Sequence, residues 1–118
     1  MQNWYSIALK QAHNYGIVDE RDLLSCARSA GLPQGDGQVT ICVNHDHLTV
    51  CRTCYNEPPD LATVVCTIPL KEMKKYHCIP LPVGGSMRFT YGGHEYRFTG
   101  LRNTPQLAEA ICEKAERE

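Results

Sequence analysis

At 118 residues with a formal net charge of -1, the chain has the length of one domain and is neither a globally basic nucleic-acid binder nor an acidic nucleic-acid mimic. Its 42% hydrophobic and 21% charged residues are ordinary for a folded globule and exclude an intrinsically disordered chain. No run approaches the roughly 18 apolar residues that span a bilayer, and the opening MQNWYSIALKQAHN lacks a signal peptide's basic start and apolar block, so a cytoplasmic protein without membrane contact is expected.

Residues 3 to 14 place Trp4, Ile7, Ala8 and, just beyond, Tyr15 on one helical stripe, with Gly16 positioned to end it. Asp19 can cap a second helix carrying Leu23, Leu24, Ala27 and Ala30, with Glu20 and Asp22 at its positive end and Gly31 after it. The pair fails as a DNA-binding helix-turn-helix, because aligning Gly16 with the turn puts Asp22 and Ser25 where buried apolar residues belong. LPQGDGQ, residues 32 to 38, reads as a connecting loop, and its GDG lacks the donors of a phosphate loop. VTICV and LTVCRT flank NHDH and predict a hairpin. With His45 and Asp46 at the turn, Val43 faces Leu48 and Ile41 faces Val50 on a core face, while Thr40, Cys42, Thr49 and Cys51 share the other.

YNEPPD, residues 55 to 60, interrupts the pattern, and LATVVCTI then runs so continuously apolar that it is expected to be the most buried strand. Pro69 ends that strand or starts a short helix through LKEMKKYH. CIPLPV, with two prolines, is confined to an edge strand or an extended linker. The stretch 87 to 100, MRFTYGGHEYRFTG, is the most legible of all. Gly92-Gly93 supplies the turn, so Tyr91 faces His94, Phe89 faces Tyr96 and Met87 faces Phe98 on an apolar face, with Thr90 opposite Glu95 and Arg88 opposite Arg97 on the other. Thr104 caps and Pro105 opens a last helix striped by Leu107, Ala108, Ile111, Cys112 and Ala115. The expectation is one α+β domain over residues 1 to 118, with about five antiparallel strands covered by two N-terminal helices and one C-terminal helix.

Seven cysteines, an odd number without an export signal, read as free thiols used as small buried apolar side chains. CVNHDHLTVCRTC resembles a zinc-ligand list. In the hairpin register, however, His45 and His47 sit at the tip, roughly 23 Å along the strand from Cys54, too far to share an ion. Zinc through Cys42, Cys51, Cys54 and Cys66 stays as an alternative. Cys51-x-x-Cys54 ends a strand instead of opening a helix, which is the wrong setting for a redox pair. His77 and Cys78 are adjacent in a strand and point to opposite faces, and no hydrolase, metalloprotease or nucleotide motif occurs, so the chain reads as non-enzymatic and without a cofactor.

Charge is distributed unevenly. Residues 1 to 60 carry four basic and seven acidic side chains, and residues 71 to 102 carry six and two. Arg88, Arg97 and Arg102, with Lys71, Lys74 and Lys75, are therefore the candidate partner-binding residues, because guanidinium groups grip carboxylate and phosphate oxygens two at a time. The bland alternative is that they only keep a sheet face soluble. The functional expectation is a small binding module, an inhibitor or adaptor docking on a macromolecule, more plausibly protein than nucleic acid. Nucleic-acid binding through the basic sheet face is the second reading and a zinc protein the third. The size and composition would also suit a phage or mobile-element protein.

Overall fold

Two hairpins form in the register that side-chain alternation dictates. A computed structural model describes residues 3–32, 35–53 and 57–117. In it, β2 (Gly37–Val43) and β3 (His47–Arg52) pair Val43 with Leu48, Ile41 with Val50, Cys42 with Thr49 and Thr40 with Cys51. Likewise β6 (Val83–Tyr91) and β7 (His94–Arg102) pair Tyr91 with His94, Phe89 with Tyr96, Met87 with Phe98 and Arg88 with Arg97. Gly92 and Gly93 both take positive φ, as that turn requires.

The expectation of five strands and three helices is overturned. Seven strands form one antiparallel sheet curled into a half-barrel, in the order β4-β3-β2-β1-β7-β6-β5, with two helices. The expected second helix is β1 (Leu23–Ala30), paired with β2 along its length and with β7 through Arg28, Ser29 and Ala30. Asp19 does not cap a helix; its carboxylate accepts the backbone N–H and guanidinium of Arg21, and Asp22 turns the chain at φ 56°. LLSCARSA defeats a period reading because its first half is covered on both faces, so Leu23, Leu24 and Ser25 are all buried, and only Arg28 and Ala30 show the exposed parity.

LATVVCTI contributes β4 (Val64–Pro69) at the edge of the sheet, where only Ile68 is fully buried and Val64 is exposed. A continuous apolar run had implied the most buried strand, but an edge position leaves it half covered. The helix expected through LKEMKKYH is one 3-10 turn at Leu70–Glu72, followed by β5 (Lys74–Ile79). Pairing along β6 outcompetes a marginal amphipathic helix there, with a bulge around Lys75 at φ 54°. Cys54 and residues 55–56 of the Pro-containing break, and residues 33–34 of the Gly-rich loop, lie outside the described residues.

The two helices occupy opposite faces. α2 (Thr104–Cys112) places Leu107, Ala110 and Ile111 on the concave side, in one cluster with Ile41, Val50, Ile68, Tyr76, Phe89, Tyr96 and Phe98. Asn103, in a left-handed conformation with no side-chain cap bond, precedes it, so the capping role expected of Thr104 is not filled. α1 (Trp4–Tyr15) ends at Gly16 as expected, but it buries Ala8 and Ala12, while Tyr15 is exposed. Its face packs with Leu24, Cys42, Cys51 and Leu61 on the convex side of β1–β3. Among the described residues, no helix is long and apolar enough to cross a membrane.

Candidate functional site

α1 shields only one half of the convex face, and the β7–β6–β5 half carries no helix. Alternation turns the aromatic side chains of the second hairpin inward and its polar ones outward onto this bare half. The register then aligns His77, Arg88 and Arg97 across three neighbouring strands. Arg97 Nε donates to Glu95 Oε1 at 2.7 Å. Glu95 is held below the ordinary carboxylate range, first by that hydrogen bond and the Arg97 charge, then by Arg88 and Lys75. The like-charged pair is thus served by a carboxylate of its own chain, and Lys75, Arg88 and Arg97 converge around it. His77, Ile79, Ser86, Arg88, Arg97 and Thr99 border a shallow hollow of about 430 Å³.

The other cations lie apart from this cluster. Lys74 Nζ pairs with Glu116 at 3.0 Å and ties the C-terminal segment to β5. Lys71 lies near Asp46, whose carboxyl is held down chiefly by Lys114 at 3.1 Å. Arg102, at the end of β7, lines a different and larger cavity of about 720 Å³ bounded by Trp4, Tyr5, Leu24, Cys26 and Val83.

Sequence reading missed the apolar element of this surface. Ile79, Leu81 and Val83 are 50%, 52% and 70% exposed; Ile79 pairs with Ser86, two residues from Arg88, and borders the arginine row, while Val83 pairs with Arg102 at the other end of β6. The signal was present in CIPLPV, whose prolines bar it from a central ladder and so leave its apolar side chains without a guaranteed cover.

The described cysteines are dispersed through the packing. Cys42 and Cys51 lie fully buried beneath α1, and the Cys42 thiol is pushed strongly up because it hydrogen-bonds to Cys51 in a desolvated site. Burial pushes Cys66 up to about 11. Those shifts favour the neutral thiol at Cys42 and Cys66, while the hydrogen bond from Cys42 lowers Cys51 against its burial; nucleophiles and metal ligands use the thiolate. Cys78 packs with the core near Tyr76 while His77 is exposed, so the two face apart. Among the described residues, the only group of three or more candidate metal ligands within 4.8 Å of one another is Asp19, Glu20 and His45. Each is already engaged: Asp19 with Arg21, and Glu20 with His45 at 2.9 Å.

Neither a scan against protein-family models nor a comparison with curated proteins found a match for this sequence.

Proposed function

We propose that the chain is a non-enzymatic binding module, an inhibitor or adaptor, that docks on an acidic protein surface through the bare half of its convex sheet face. One observation carries this reading: a row of His77, Arg88 and Arg97 lies beside exposed Ile79, from which exposed Leu81 and Val83 follow in the chain, on the half of the face that α1 leaves uncovered. Apolar exposure next to arginine is the composition of a protein interface, in which apolar anchors supply burial and the guanidinium groups select an acidic counterpart. Nucleic-acid binding through the same face is less well supported, because Phe89, Tyr96 and Phe98 are buried on the opposite side and offer no platform for bases.

The test compares three proteins: wild type, Arg88→Ser with Arg97→Ser, and Ile79→Asp with Leu81→Asp. All three should fold, since the altered side chains are exposed. Both double variants should lose the protein captured by wild type from its native extract, with a modest dependence on salt. Unchanged capture by both would overturn the reading. Binding to generic DNA or RNA, with affinity falling steeply as salt rises and dependent on the arginines alone, would replace it with the nucleic-acid reading.

A further inference from the structure

The larger cavity, which meets the docking face only at Val83, has the makings of a small-ligand site. Its floor is β1, through Leu24 and Cys26; one wall is the start of α1, through Trp4 and Tyr5; the opposite wall is Val83, at the start of β6; and Arg102 stands at its rim. At about 720 Å³ it lies within the range of metabolite-binding clefts. The Trp4 ring is held in place as a wall because its Nε1–H donates to the Glu57 carbonyl at 3.1 Å. Leu24 is buried beneath it, so the floor is a fixed apolar surface.

Charge at this cavity is one-sided. Arg102 is the only charged residue among the described residues that line it, and no Asp or Glu is among them. Among the described residues Arg102 makes no ion pair within 4.0 Å, in contrast to Arg97 and Lys74, which have Glu95 and Glu116. Both helices begin at the rim without an acidic residue in the first turn, which adds positive potential to that of Arg102. An apolar trough with a single unneutralised guanidinium at one end complements a molecule with an apolar body and a carboxylate at one end.

We infer that the cleft bounded by Trp4, Leu24, Cys26 and Val83 binds a small aliphatic carboxylate, its chain along the apolar trough and its carboxylate on Arg102. This site meets the docking face at Val83 but uses neither Arg88 nor Arg97, so Arg102→Gln and the Arg88→Ser, Arg97→Ser pair test the two assignments separately.

Trp4 is the sole tryptophan of the chain and lines the cleft, so its fluorescence reports occupancy directly. Octanoate should change that fluorescence saturably, binding roughly tenfold more tightly than octanol, with octyltrimethylammonium weaker than either. Arg102→Gln should abolish the preference for octanoate over octanol while leaving octanol binding in place. Val83→Glu, at an exposed position, should weaken octanoate more than octanol, and thermal melts should show both variants folded. The proposal is overturned if octanoate gives no saturable change, if octanol binds as well as octanoate to wild type, or if folded Arg102→Gln retains the carboxylate preference.

Discussion

A Cβ placed on Gly85 would lie 2.2 Å from Thr104 Oγ1 and 2.8 Å from the Leu81 carbonyl, so the start of α2 can approach β6 only because this residue has no side chain. Gly85→Ala is therefore expected to destabilise the fold by about 1–3 kcal/mol through overpacking, measured by denaturant unfolding. Asp19 shows a second residue-scale effect. Its side chain is only 6% exposed. Burial alone would raise its carboxyl, but hydrogen bonds from the Arg21 side chain and backbone, with the charges of Arg21 and His45, hold it below the ordinary value. A carboxyl lowered on folding contributes stability that is fully present above its unfolded pKa of roughly 3.9 and is lost as pH falls through the folded value. Asp19→Asn should cost on the order of 1–3 kcal/mol at pH 7, and the gap from wild type should close as pH falls below about 4. Tyr76 makes the opposite case: among the described residues its buried hydroxyl has no oxygen or nitrogen partner, only the weakly interacting Cys78 thiol beside it, and burial, then Cys78, pushes its ionisation strongly up. Tyr76→Phe should leave stability unchanged or raise it, because the lost hydroxyl bore a desolvation cost that a weak thiol contact offsets little.

Among the elements, α2 carries the concave core. Leu107 and Ile111 are fully buried in the cluster that holds Phe89, Tyr96 and Phe98, as the apolar stripe and the hairpin face jointly implied. Ile111→Ala and Phe98→Ala should each cost on the order of 2–5 kcal/mol in denaturant unfolding, and losses below about 0.5 kcal/mol at both would contradict this packing. The hairpins were legible because alternation and turn chemistry are local: once Gly92-Gly93 or His45-Asp46 sets the turn, every cross-strand pair follows. β1 and β5 were not. LLSCARSA and KKYHCI satisfy a helical stripe about as well as a strand, and what decides for strand is the availability of β2, β7 and β6 as backbone partners. An edge position likewise makes β4 less buried than its composition suggests.

At the scale of the molecule, the half-barrel has a concave side filled by α2 and a convex side that α1 covers only over β1–β3. That asymmetry creates the candidate site, and it explains why the basic residues expected to act together separate. Lys75, Arg88 and Arg97 meet on the bare half, whereas Lys71 and Lys74 lie near Asp46 and Glu116, and Arg102 lines another cavity. What the sequence determined by itself is everything carried by neighbours along the chain: both hairpin registers, the first and last helices, the inward aromatics and the outward Arg88–Arg97 pair. What only the tertiary structure decided is everything that depends on who covers whom. β1 became a central strand, Ile79, Leu81 and Val83 stayed uncovered, and Trp4 came to face Arg102 across a cleft, because backbone pairing and burial are set by segments distant in sequence, whose arrival no local period can encode.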